Sequence, residues 1–227
     1  MNTHTLRSIA VCTVLVAACS KGSTPRALDS LAQTDTATSA PAMPFFEILG
    51  TQGENAYDNI KTANWQAARA SVDSLSGALT IVSVADTARH GAGITQSMAS
   101  LDSAVTLRSR IRGLTAANQL TRIGASLPGA ATTRVPAAVT LLDFHGRELE
   151  IAAETKDAPR LARTAAAIHA TWTDVRPLVV SHGGTAEAAT FDALVASVMA
   201  AKSPTQYARL ATPLLDHVDA LEVVFTR

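Results

Sequence analysis

From Phe45 to the C-terminus the apolar residues return at steps of three and four, and no stretch of this chain alternates apolar with polar. Behind Asn64 the series is Trp65, Ala68, Val72, Leu75, Leu79 and Val82; behind Asp157 it is Leu161, Ala165, Ile168, Trp172 and Val175. That period puts one face of a helix against a core, whereas a half-buried strand needs a period of two. Asn64 and Asp157 are suited to N-caps, and Pro159 falls in the first turn, where a missing N–H costs nothing. Superposing Asn64 on Asp157 also aligns Ala68 with Leu161, Val72 with Ala165 and Leu75 with Ile168. This is a faint internal match, 93 residues apart, of a sort that an Ala-rich helical chain also produces without duplication.

The remaining segments extend the pattern. The spacing predicts helices over residues 45–62, 94–127 and 136–155, and a short one marked by Phe191, Leu194, Val195 and Val198. A last helix is opened by Ser203-Pro204 and carries Tyr207, Leu210, Leu214, Val218, Leu221 and Phe225 on one stripe. Breaks are expected at His90-Gly91-Ala92-Gly93, Pro128-Gly129 and His182-Gly183-Gly184. Trp172 to Pro177 reads as a core tryptophan followed by a kink or helix end. The expected fold is all-α, an antiparallel bundle of six to seven helices over residues 45–227. Residues 19–44, rich in Ser, Thr, Ala, Pro and Gly, lack the apolar surface to order themselves and are expected to form a flexible tether reaching roughly 25–30 Å.

The N-terminus supplies an address. Arg7 lies in a short polar stretch, residues 9–16 are apolar, and small residues precede Cys19, which is the layout of a secretory signal peptide. The apolar run is too short to cross a bilayer, which takes about 20 residues of helix. Val16-Ala17-Ala18-Cys19 resembles the lipobox of bacterial lipoproteins. The resemblance implies removal of residues 1–18, a diacylglycerol on the Cys19 thiol and acylation of the new amino group. Ser20 in place of Asp implies sorting to the outer membrane, on its periplasmic face. More than one acyl chain, at about 0.8 kcal/mol per buried CH₂, gives a stable anchor.

The chain has two cysteines, and the other, Cys12, lies in the expected signal peptide. The mature domain would then carry no disulfide, thiolate metal site, haem-attachment motif or cysteine nucleophile. Nineteen basic residues balance nineteen acidic ones without a basic run, which argues against nucleic acid as a partner. The partners expected are the membrane, through the lipid on Cys19, and a periplasmic or envelope protein. His-Glu-x-x-His is absent, and Ser181-His182-Gly183-Gly184 is not a nucleophile elbow. His182 reads as a turn residue; Asp216 and Asp219 read as a solvated face.

One helix places polar groups against its expected core. Over residues 136–155, Asp143, Arg147, Glu150 and Glu154 share a side that reads as the wet face. The opposite side centres on His145, with Leu141, Glu148 and Ala152 close by. On the helix expected before it, Leu107, Ile111, Leu114, Asn118 and Arg122 fall on one stripe. Two readings follow. In the first, Arg122 and Glu148 form a buried ion pair whose hydrogen bonds are completed by Asn118 and His145. In the second, His145 and Glu148 are metal ligands on one helical face, completed by His217 and Glu222 of the last helix, with His169 as a further candidate. A divalent or iron ion is the one cofactor this second reading admits.

His145-Gly146-Arg147-Glu148 resembles the His-x-x-Glu core of the G-x-H-x-x-E motif of imelysin-like proteins, with Asp143 standing where the motif has glycine. The resemblance implies a periplasmic or surface-anchored helical bundle associated with iron acquisition, with His145 and Glu148 as the residues that carry over. The expected function is therefore a non-catalytic binding or scaffolding module, with metal handling of the imelysin-like type as the alternative.

Overall fold

The computed structural model describes residues 43–80 and 84–227, apart from the side chains of 84–89, 128 and 132. The signal segment, Cys19 and nearly all of the tether lie outside the described residues. Those residues form eight α-helices and one 3₁₀ turn, an all-α bundle with one or two helices more than the spacing predicts. The helices are α1 (Phe45–Lys61), α2 (Trp65–Leu79), α3 (Val84–Thr106), α4 (Arg110–Ser126), α5 (Ala137–Glu154), α6 (Ala158–Ser181), α7 (Thr185–Ala200) and α8 (Pro204–Thr226). The 3₁₀ turn, Pro128–Thr132, sits at the predicted Pro-Gly break.

The extra helix comes from residues 94–127, which are two helices and not one. The chain turns at Leu107–Ser109, where Arg108 is left-handed at φ 49° and Leu107 is 66 % exposed. No Gly, Pro or Asn marks that turn. Conversely, α3 runs straight through the glycines at 91 and 93. An interior glycine costs a helix only about 1 kcal/mol, and the packing of α3 on α4 offsets it. Pro177 likewise lies inside α6, which ends at His182 and the left-handed Gly183, φ 85°.

The caps form as the residue types dictate. Asn64 Oδ1 accepts from the Ala67 N–H at 3.3 Å, and Asp157 Oδ1 from the Arg160 N–H at 3.0 Å. Ser203 and Gln206 make a reciprocal capping box at the start of α8. Each such cap contributes about 1 kcal/mol.

The eight helices are two four-helix units in succession. Helices α1–α4 enclose a core of Leu49, Ile60, Leu75, Leu101, Leu114 and Leu120; α5–α8 enclose another of Leu142, Leu149, Ile168, Phe191, Leu214 and Leu221. The faint match at 93 residues recurs as geometry. Ala63 and Lys156 are both left-handed, at φ 58° and 56°, and the hydrogen bonds around them correspond. The Asn64 N–H reaches Asn59 O at 2.7 Å and the Asp157 N–H reaches Ala152 O at 2.9 Å. The Thr62 and Thr155 hydroxyls donate to Asp58 O and Ile151 O at 3.0 and 2.9 Å.

The units also approach their fourth helices alike. Gly53 of α1 lies so close to α4 that a Cβ there would stand 3.0 Å from Ala117 O; Gly146 of α5 lies so close to α8 that a Cβ would stand 2.6 Å from Leu215 Cδ2. The joint between units is made mainly by α5 on α4. Helix α5 contributes Ile151 to the first core and Val139, Leu142, Leu149, Ala152 and Ala153 to the second. It therefore has no broad wet face, and the function of the molecule is best sought along this seam.

Candidate functional site

On the α1 side of α5, a charged cluster is buried where the spacing predicts solvent. Asp143 and Arg147 are 7 % and 8 % exposed, a correction to their expected place on a wet face. The reason is topological: a helix flanked by two units is covered on both sides. The apolar arc of α5, from Leu141 and Leu142 through Phe144 to Leu149 and Ile151, is too wide for a helix covered on one side. That width was the signal in the sequence.

Arg147 Nε lies 3.3 Å from Asp143 Oδ2, outside hydrogen-bonding geometry, and the guanidinium stacks over Tyr57 with its carbon 5.0 Å from the ring centroid. Such cation–π contacts are worth about 0.5–2 kcal/mol. Tyr57 donates to Glu150 Oε2 at 2.8 Å, and Lys61 pairs with Glu150 at 2.7 Å. Arg147 Nη1 and Asp143 Oδ2 make no hydrogen bond. Burial, reinforced by the Glu150 carboxylate, raises the Tyr57 hydroxyl well above the ordinary tyrosine range.

Beyond Asp143 the cluster is acidic. Burial and then the Asp143 charge push Glu54 of α1 up to about 7 and Glu222 of α8 up to about 7. Asp143 itself is pushed up to about 6 by burial, against the pull of Arg147. Asp219 is exposed, as expected, and raised by its partial burial and by Asp216. Glu54 and Glu222 both line a cavity of about 380 Å³ at the seam, together with Phe46, Ala125 and Val135.

On the other side of α5, Asn118 and Glu148 of the expected network meet, but around a different arginine and, among the described residues, with no hydrogen bond from the His145 side chain. Asn118, fully buried, donates to Phe144 O at 3.1 Å and to Glu148 Oε1 at 3.2 Å. Arg160 of α6 grips Glu148 at two points, Nε to Oε2 at 2.8 Å and Nη2 to Oε1 at 2.9 Å. Arg122 is not a member. It is exposed, bonded to Gln119 at 2.9 Å, with its guanidinium carbon 6.0 Å from the Phe144 ring centroid, because α4 turns its Asn118 face and not its Arg122 edge toward α5. His145 is partly buried, 5.1 Å from the Phe144 ring centroid, and burial lowers its pKa despite Glu148 nearby.

No protein family, curated protein or solved structure matches this chain. The site must be read from its own geometry.

That geometry does not assemble the expected metal ligands. His217 sits against Phe191 with Nε2 3.0 Å from Glu187 O, and Glu222 belongs to the cavity with Glu54. Both oxygens of Glu148 are engaged by Arg160. Among the described residues, no three His, Cys, Asp or Glu are grouped to hold a metal. His169 is exposed beside Trp172, and His182 caps α6 with Nδ1 2.9 Å from Leu178 O, in the turn role its sequence context implies.

Proposed function

We propose that this chain is an outer-membrane lipoprotein, held through acylated Cys19, whose periplasmic helical bundle binds a ligand at the seam between its two four-helix units. The address rests on the lipobox resemblance alone. The binding reading rests on one observation: Glu54 and Glu222, neither of them hydrogen-bonded among the described residues, line a cavity, and the buried Asp143, whose Oδ2 makes no hydrogen bond, acts on both. Each buried unmade hydrogen bond costs about 1–3 kcal/mol, and apolar replacements of buried ion pairs are often neutral or stabilising. Packing alone therefore gives no reason to keep Glu54, Asp143, Arg147 and Glu222 together, whereas a ligand site does.

The test is the sign of a stability change. In the purified full chain, Glu54→Gln at neutral pH should raise the melting temperature, since a binding site sacrifices stability. A loss of about 2 kcal/mol or more would instead make the cluster a structural pin and end the binding reading. For the address, palmitate labelling and outer-membrane fractionation should both be lost in Cys19→Ser. Label retained in that variant would remove the anchor.

A further inference from the structure

The seam cavity takes carboxyls from both halves of the molecule, Glu47 and Glu54 from α1 and Glu222 from α8, and one guanidinium, Arg134. Arg134 is exposed and donates to Thr226 O at 3.4 Å, and the apolar part of the lining includes Phe46 and Val135. Among the described residues the Glu54 and Glu222 carboxyls make no hydrogen bond. Asp143, outside the lining, is 7 % exposed, forms no hydrogen bond through Oδ2, and exerts the strongest charge effect on both Glu54 and Glu222. The charged groups that line this space or act on Glu54 and Glu222 are Glu47, Glu54 and Asp58 from α1, Arg134 ahead of α5, Asp143 and Arg147 from α5, and Asp219 and Glu222 from α8. Six are acidic and two are basic; Arg147 is already committed to Asp143 and the Tyr57 ring, and Arg134 is exposed and directed to the end of α8.

We propose that the seam cavity is a receptor for a small organic cation, an ammonium group on an apolar body, with the ammonium held between Glu54 and Glu222 and the body against Phe46 and Val135. The inference rests on the binding reading above and names the ligand class for it. An ammonium offers three donors to acceptors that lack them, and its charge offsets the acidic excess where low polarity strengthens the attraction. The space, about 380 Å³, is within the range of small-ligand pockets. The apolar part of the lining suits a hydrocarbon body, and among the described residues no three His, Cys, Asp or Glu are grouped to hold a metal ion.

The experiment uses three probes of one shape and different heads, benzylamine, benzyl alcohol and benzoate, with Ca²⁺ as a fourth, titrated calorimetrically into the purified full chain at neutral pH. Benzylammonium should bind in about the millimolar range set by its size, and the alcohol and benzoate should not. Glu222→Gln and Glu54→Gln should each weaken it about tenfold or more, as expected for a lost charge-assisted contact. Glu154→Gln, which removes a surface carboxylate paired with Arg110, should leave it unchanged. Equal binding of the alcohol or benzoate, Ca²⁺ binding that depends on Glu222, or no benzylammonium binding by the wild-type chain would each overturn the assignment. None of these results would touch the binding reading, which falls only if Glu54→Gln destabilises the chain.

Discussion

Arg160 holds Glu148 by both carboxylate oxygens, from a position twelve residues further along the chain and on the next helix. The pair forms because the α5–α6 turn, with Lys156 left-handed and Asp157 capping, brings the first turn of α6 back beside the middle of α5. It decides the chemistry of the His-x-x-Glu face. A carboxylate whose two oxygens serve a guanidinium and an amide is a poor metal ligand, and burial lowers the pKa of His145 beside it.

Removing Arg160 should therefore cost more than an exposed pair would. Arg160→Ala leaves a buried Glu148 facing only Asn118, and a loss of about 2–3 kcal/mol is expected at neutral pH. Glu148→Gln, which keeps the shape and removes the charge, should cost less. Chemical denaturation of both variants checks the order. Equal losses would mean that Arg160 contributes packing alone.

The all-α class, the caps at Asn64, Asp157 and Ser203, and the turn at His182–Gly184 were legible, because each depends on residues close in sequence. Asn118 and Glu148 were legible as an inward pair for the same reason. Arg122 shares a stripe with Asn118 but sits on its edge, and which edge of α4 meets α5 is a tertiary fact; the break between α3 and α4 was not legible because the turn at Arg108 uses no Gly, Pro or Asn. Glu54, Asp143 and Arg147 were hidden for a different reason. Their burial depends on α5 lying between two four-helix units, a tertiary fact that local periodicity does not carry. Only the 93-residue match between α2 and α6 hinted at two units.

The seam acids give the fold an inverted response to mild acid. Glu54 and Glu222 at about 7 and Asp143 at about 6 are raised above their unfolded values. Between those values the native state holds more protons than the unfolded one, so stability falls as pH rises. His145, lowered by burial, works the other way, but it is one group against three. The melting temperature should rise on going from about pH 7.5 to about pH 5.5, by about 2–4 °C for each kcal/mol gained. The Glu54→Gln, Glu222→Gln double variant should flatten this slope. A wild-type melting temperature that falls over the same window would show that these carboxyls are ionised in the native state.

The two close-approach glycines should differ in tolerance although they occupy matching places. A Cβ at Gly53 meets the Ala117 carbonyl oxygen at 3.0 Å and the Thr121 nitrogen at 3.1 Å, both backbone atoms that cannot yield without moving α4. At Gly146 the obstacles are the ends of the Leu214 and Leu215 side chains, which can rotate. Gly53→Ala should destabilise by about 1–3 kcal/mol. Gly146→Ala should come near neutral, because a gain of about 1 kcal/mol in helix propensity offsets the repacking. Paired denaturation curves decide it, and the reverse order would contradict the contacts.

Left-handed residues in the two matching turns offer a stabilising change. Ala63 and Lys156 carry a Cβ at φ 58° and 56°, a conformation that disfavours L-residues by about 1–2 kcal/mol and that glycine adopts freely. Their backbone hydrogen bonds, Ala63 N–H to Ile60 O at 3.0 Å and Lys156 N–H to Ala153 O at 3.2 Å, do not involve the side chain and survive the substitution. Glycine also gives the unfolded chain more freedom, which offsets part of the gain. Ala63→Gly and Lys156→Gly should each stabilise by about 0.5–1 kcal/mol and, lying in separate units, should add within about 0.5 kcal/mol. Thermal unfolding of the singles and the double checks both statements. Two losses of stability would show that the side chains contribute more in these turns than their backbone strain costs.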